Sequence, residues 1–229
     1  MLAIQSGHPP GAVALITGEQ FRFAQSARCA MTMMAPAGSA LAWPMGVLVA
    51  HNINIAFQSV LDNPTLQWCF LMGDDHTYPP DIIPKLLDRN VDAVIPLCLN
   101  RAPPIEPTIA VRMDDGRHRF KLLSELPGSG IYRLADNETC GDAGLLIRRH
   151  VLEKIGAPWH LTKKSGAHDA EDREFTERIK EHGFAVHVDL DNPIGHIAPT
   201  VLSPVRYQDQ WNIRLEIAGK PICNLAAAT

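Results

Sequence analysis

The chain has 229 residues, 46% of them apolar and 20% charged, the composition of a soluble globular protein with a core large enough to need no staples. Its 21 basic and 25 acidic residues leave a net charge of −4, which argues against the broad basic surface of a non-specific nucleic-acid binder. No apolar run approaches the roughly 20 residues that span a bilayer, and the opening MLAIQSGHPPG lacks the basic-then-apolar order of a secretion signal. Five cysteines (Cys29, Cys69, Cys98, Cys140, Cys223) stand singly, without a CxxC pair. Cys69 and Cys98 lie in apolar runs as small core hydrophobes, so the expectation is a reducing, cytoplasmic setting.

In chain order, residues 12–17 (AVALIT) form a continuous apolar run between Pro9-Pro10-Gly11 and Gly18, the pattern of a buried parallel strand. Residues 21–34 carry apolar and small side chains at helical spacing, closed by Pro36 and Gly38, and 41–43 suit a second strand. Residues 47–61 (VLVAHNINIAFQSVL) predict a helix ended by Asp62-Asn63-Pro64. A strand follows over 68–72, then a helix over 80–87 (PDIIPKLL) whose Pro80 and Asp81 suit a first turn, then a buried strand over 91–97. This alternation predicts βαβ units and an α/β fold with a mostly parallel central sheet flanked by helices.

Beyond residue 100 the character changes. NRAPPIEP (100–107) holds three prolines and must be loop, and 109–120 predicts a polar hairpin around Asp114-Asp115-Gly116, a small antiparallel part. Residues 141–147 (GDAGLLI) lead into a helix over 149–155, stopped by Gly156-Ala157-Pro158. A polar loop over 163–169 precedes a helix over 170–182 with Gly183 as its C-cap, and 185–190 (AVHVDL) is a last strand. Trp211 and Leu215 suggest a closing helix in the tail. The expected organisation is one domain over 1–203, with halves of about 12–100 and 101–203, and a C-terminal helix and tail over 204–229.

Four clusters carry potential chemistry. The strand at 68–72 runs into Asp74-Asp75-His76, where adjacent carboxylates repel unless a cation compensates them. Carboxylate and imidazole donors suit Mn²⁺ or Mg²⁺, ions that usually serve phosphate-bearing substrates; the bland reading is an acidic turn. Cys140-Gly141-Asp142-Ala143-Gly144 reads as a tight turn or a small-residue pocket wall. His168-Asp169-Ala170-Glu171-Asp172 opens a helix, and its acids exceed what the helix dipole needs, so one suits a general base. Gly195-His196 places a histidine just beyond the last strand.

Taken together and in this order, the clusters resemble the nucleotide-sugar-dependent glycosyltransferases of GT-A fold, family-2-like, over roughly 12–199. The resemblance rests on five segments: FLMGDDHTYPPDIIPKLL against the family's DxD segment, GDAGLLIRRHVLEKIG, the Pro-Trp of GAPWH, EDREFTERIKEHGFAV as the acceptor-side helix, and DNPIGHI as the metal-proximal histidine. The match departs from the motif: Gly73-Asp74-Asp75 lacks the first acid, whereas Asp74-Asp75-His76 reads as Asp-x-His with His196 as a distant partner. Whether Asp74 or Asp75 is the ligand stays open.

The resemblance implies a single GT-A-type, Rossmann-like domain and transfer of a sugar from a UDP- or GDP-sugar to an acceptor hydroxyl, assisted by Mn²⁺ or Mg²⁺. It puts Asp172 in the place of an inverting base, with Glu171 as runner-up, although GT-A folds host retaining outcomes too. Thr17, Gly18 and Glu19 fall where the family binds base and ribose, with Asn52 and Arg28 nearby, and Asp74 on the donor side. Gly141, Asp142 and Ala143 would line the sugar and acceptor pocket, and Trp159 either stacks on an acceptor or packs in the core. The partner is then a nucleotide-sugar donor; the acceptor, and whether the chain forms a homo-oligomer, are left open. A nucleotidyltransferase is the rival, but the loop after the first strand, TGEQFRF, has one glycine and an acid where a basic, Gly-rich triphosphate loop is expected. A catalytically inactive nucleotide-sugar-binding protein of the same fold is the other rival, favoured by the missing acid.

Overall fold

The structure, a computed structural model, describes residues 1–17, 22–46, 48–161, 171–207 and 210–226. The N-terminal half contains β1 (Leu2–Ile4), β2 (Ala12–Ile16), α1 (Ala24–Thr32), β3 (Met34–Pro36), β4 (Ala40–Ala42), α2 (Val49–Asp62), β5 (Trp68–Gly73), β6 (His76–Thr77), α3 (Ile82–Asp88) and β7 (Ala93–Pro96). Then follow β8 (Ile109–Arg112), β9 (His118–Phe120), β10 (Ile131–Arg133), β11 (Glu138–Cys140), β12 (Leu146–Arg148), α4 (Arg149–Ile155), α5 (Glu171–Glu181), β13 (Val186–Asp189) and β14 (Gly195–His196). The chain closes on β15 (Thr200–Tyr207), β16 (Gln210–Ile217) and β17 (Lys220–Ala226).

Seven strands form the central sheet in the order β10-β13-β7-β12-β5-β2-β4. All five residues of β2 are buried, because helices cover both faces. Side chains alternate between the faces: Ala12, Ala14 and Ile16 join Cys69 and Leu71 under α2, α4 and α5, whereas Val13 and Leu15 join Phe70 and Met72 against α3. Helix α2 contributes Ile53, Phe57 and Val60 to the first core, and α3 contributes Ile82, Ile83, Leu86 and Leu87 to the second.

The sheet is mixed where the sequence reading expected it to be mostly parallel. β2 runs parallel to β4 and β5, and β7 to β13, but β12 is antiparallel to both β5 and β7, and β10 to β13. Between β7 and β12 the chain makes the small antiparallel sheet β11-β8-β9 instead of a crossover helix. With no crossover, the chain re-enters the main sheet from the rim at which it left, and β12 runs backwards. The Gly144 N–H to Leu71 carbonyl bond (3.0 Å) and the Leu71 N–H to Leu145 carbonyl bond (2.9 Å) extend that pairing and place the 141–145 turn beside the end of β5.

The expected C-terminal helix is instead an antiparallel sheet of β15, β16 and β17. The reason is visible in QWNIRLEI: apolar residues at 211, 213, 215 and 217 alternate with polar ones at the strand period of two. Ala218 and Gly219, both at positive φ (49° and 77°), make the two-residue turn that joins β16 to β17.

Candidate functional site

The strand β5 ends at Gly73, and the next three residues turn across the carboxyl rim of the parallel strands. β6 then pairs antiparallel with β14, with His196 opposite His76 and Gly195 opposite Thr77. Gly195 suits the pairing, since a Cβ there would press on the Thr77 hydroxyl and make it turn aside. The clasp brings two histidines 120 positions apart into a stack, ring centroids 4.2 Å apart and planes 20° from parallel.

Asp75 sits at the centre. Its Oδ1 is 2.7 Å from His76 Nδ1, and its Oδ2 is 3.0 Å from Arg22 Nη2, 3.1 Å from Arg101 Nη1 and 3.5 Å from His196 Nε2. Burial opposes its ionisation, but bonding to His196 and His76, and the charges of His76 and Arg22, hold its carboxyl well below the usual range. Asp74 takes a different course. Its Oδ1 accepts from Arg22 Nε (2.8 Å) and lies 2.6 Å from Nη2, while Oδ2 accepts the Arg22 backbone N–H at 3.3 Å. These bonds to Asp74, outweighing desolvation, raise the Arg22 pKa further. Of the two acids left open by the sequence, Asp75 is the one that meets both histidines.

The absent first acid has a local explanation. A Cβ on Gly73 would stand 3.0 Å from His76 Nδ1 and 3.4 Å from Asp75 Oδ1, so the imidazole fills the space of a side chain at 73. The Gly73 N–H donates to the Tyr78 hydroxyl at 3.0 Å, which pins the strand end beneath the site.

The turn carrying Gly141, Asp142 and Ala143, all half-buried, borders this rim across from Gly73. Asp142 Oδ2 is 3.3 Å from Nε2 of His160, a histidine 3% exposed among Phe57 and Phe175. Burial, aided by Arg178, pushes the His160 pKa down to about 3, so the ring is neutral beside its carboxylate. Trp159 does not reach an acceptor: it is 2% exposed, packs edge-on against Phe57 (5.8 Å) and donates its indole N–H to the Leu152 carbonyl at 3.0 Å. It is a core residue packed against α2 and α4.

Thr17 follows β2 and is buried, its Oγ1 accepting from Trp43 Nε1 at 2.9 Å. Asn52, wholly buried, donates from Nδ2 to the carbonyls of Thr17 (3.0 Å) and Gly46 (3.1 Å) and so ties backbone together; its burial keeps it from touching a ribose directly. Arg28 faces a cavity of about 630 Å³ that it shares with Thr77, Tyr78 and Gly195, on the α1 side of the clasp. Gly18 and Glu19 lie outside the described residues. Glu171 and Asp172 open α5, and their side chains lie outside the description.

Sequence reasoning missed Arg22, Arg101, Cys98, His160 and Trp43. The signal for the two arginines is their place: each follows a parallel strand by a few residues, on the rim where the acids sit. Trp43 is 48% exposed at the end of β4, an uncommon surface position for so large a ring. Cys98 (2% exposed) has its thiol pushed up to about 12, chiefly by burial and then by the charge of Asp75.

No family model matches the chain, and no curated protein matches its sequence. Among solved structures, it is similar to GalNAc-T7 crystallised with UDP, GalNAc and Mn²⁺, at 10% identity and a TM-score of 0.55. That likeness covers 88% of this chain but 44% of the other, so the chain spans under half of that structure's length. It is also similar to A197 from STIV, at 12% identity and a TM-score of 0.49, covering 87% of this chain and 99% of that one. The fold is therefore a mixed α/β fold similar to a GT-A glycosyltransferase. Among the described residues, no helix is long and apolar enough to cross a membrane.

Proposed function

We propose that the chain is a glycosyltransferase that moves a sugar from a UDP- or GDP-sugar to an acceptor hydroxyl. The observation that carries this reading is the meeting of Asp75, His76 and His196 at the carboxyl rim of a GT-A-like sheet, where open α/β folds bind their ligands. One carboxylate and two imidazoles fit Mn²⁺, or Mg²⁺ with more water, as a borderline donor set. Asp75, His76 and His196 would hold the ion, while Asp74 stays with Arg22. A bound divalent ion supplies Lewis-acid neutralisation of the departing diphosphate.

The chain's own groups supply the rest. Arg22 and Arg101 have side chains 52% and 44% exposed and guanidiniums already at the rim, so they can trade carboxylate for phosphate oxygens. Asp142, whose Oδ2 lies 3.3 Å from neutral His160, borders the sugar with Gly141 and Ala143. Asp172, or Glu171 in its place, takes the acceptor proton from the face opposite the diphosphate if the reaction inverts. Thr17, Gly18 and Glu19 line the nucleotide side, with Trp43 a platform for the base. In this reading the nucleotide half is about 12–100 and the acceptor half about 101–203.

A second reading, an inactive nucleotide-sugar-binding protein, is favoured by Gly73 at the first-acid position and by Arg22 occupying Asp74. Incubation with a panel of UDP-, GDP- and CMP-sugars and Mn²⁺ separates the two. Release of nucleotide from one donor class is expected of the transferase, and a thermal shift without turnover of the binding protein. Neither response with any donor would refute both.

A further inference from the structure

Cys98 has no part in the reaction proposed above, yet its Sγ and one ring nitrogen each of His76 and His196 all lie within 4.8 Å of one another. The two imidazoles are already oriented. His196 donates Nδ1–H to the Leu99 carbonyl at 3.0 Å, so Nε2, which faces Asp75 Oδ2 at 3.5 Å, is the nitrogen that an ion would take. His76 has Nδ1 2.7 Å from Asp75 Oδ1, although off the ideal bond direction, which leaves its Nε2 for an ion. A carbonyl behind one imidazole and a carboxylate behind the other is the outer support that metal-binding histidines use. The same Leu99 carbonyl lies 3.6 Å from Cys98 Sγ, so one backbone segment after β7 places both the thiol and the support for His196.

The geometry points to a soft-metal site: His76, Cys98 and His196 bind Zn²⁺, Co²⁺ or Cd²⁺ through two nitrogens and one sulfur. With Zn–N near about 2.0–2.1 Å and Zn–S near about 2.3 Å, donor atoms around one ion sit less than about 4.4 Å apart. Small side-chain rotations close the present spacing. Binding forms an M–S bond and releases the thiol proton to solvent, with no change of oxidation state. Three protein ligands leave a fourth position for water or a phosphate oxygen, the arrangement of open rather than closed zinc sites. Mn²⁺ and Mg²⁺ prefer oxygen and gain little from sulfur, so the two ion classes divide on Cys98. The inference concerns the same rim as the proposed transferase site, but ion binding needs neither nucleotide nor sugar.

Titration of the metal-free full chain with Co²⁺ tests it. We expect a single equivalent to bind with the near-ultraviolet sulfur-to-cobalt charge-transfer band and the visible bands of a tetrahedral ion, all abolished by Zn²⁺. Cys98→Ser should remove the charge-transfer band and weaken Zn²⁺ by about 10–100-fold, the scale on which even outer partners of a ligand act. Cys29→Ser, at the half-buried thiol, should keep the band, and Mn²⁺ affinity read by water proton relaxation should be unmoved by Cys98→Ser. Cobalt bound without the sulfur band in the wild type, a result that requires no variant to fold, would overturn the inference. So would wild-type Zn²⁺ affinity in folded Cys98→Ser. A sulfur band without sugar transfer refutes the transferase alone; sugar transfer without the band refutes the soft-metal site alone.

Discussion

Gly73 and His76 share one small volume at the strand end, and that sharing explains a motif that looks damaged in the sequence. Adding a methyl at 73 forces the imidazole aside, at a cost of about 1–3 kcal/mol by overpacking. We therefore expect Gly73→Ala to lower the urea midpoint and His76→Ala to relieve part of that loss in the double variant. Strict additivity of the two changes would contradict the shared volume. The same scale shows what the sequence left undecided. Asp74 and Asp75 are adjacent and chemically alike; Arg22, 52 positions before Asp74, touches both, and it is Arg101, His76 and His196 on Asp75 that tell the two apart. His196 was legible because it stands in order after the last strand. Cys98 was read as an apolar core residue, and it is buried; its nearness to two histidines depends on the clasp between β6 and β14.

At the scale of elements, short apolar runs placed β2, β5 and β7, helical spacing placed α1, and the stop signals Asp62-Asn63-Pro64 and Gly156-Ala157-Pro158 placed the ends of α2 and α4. Two readings failed for identifiable reasons. Alternation of strands and helices says nothing of direction once a crossover helix is missing, so β12 entered backwards. In the tail, Trp211 and Leu215 suit a helix at spacing four, yet the full alternation over 210–217 suits a strand. The segment after α4 supplies two predictions. Trp159→Ala should lower stability by about 3–5 kcal/mol, as large-to-small changes at buried aromatics do, while leaving acceptor KM unchanged in the protein that remains folded. His160, whose folded pKa of about 3 lies below the unfolded value of 6.5, should withdraw stability as the pH falls below about 6.5, because the unfolded chain then binds the extra proton. The loss reaches at most about 1.4 kcal/mol per pH unit for one proton, and His160→Phe should flatten it in urea unfolding between pH 7 and 4. Among the described residues, Asp142 and Arg178 are the charged groups beside the ring, and an unchanged pH slope in His160→Phe would remove His160 from this account.

At the scale of the molecule, a mixed α/β fold of GT-A likeness carries a rim that gathers acids, histidines and arginines from separate elements. The order of those elements was legible without a structure, and the convergence was not, since β6, β14, β7 and the segment before α1 meet only after folding. The central claim is that this rim binds a nucleotide through a divalent ion held by Asp75, His76 and His196. Calorimetric titration of UDP and GDP into the wild type and into His196→Ala, each with Mn²⁺ and again in EDTA, tests it most directly. The account predicts tight binding of one nucleotide by the wild type with Mn²⁺, weakened in EDTA, and weakening by His196→Ala only while the metal is present. Equal weakening by His196→Ala in EDTA, or nucleotide binding indifferent to metal in the wild type, would contradict it.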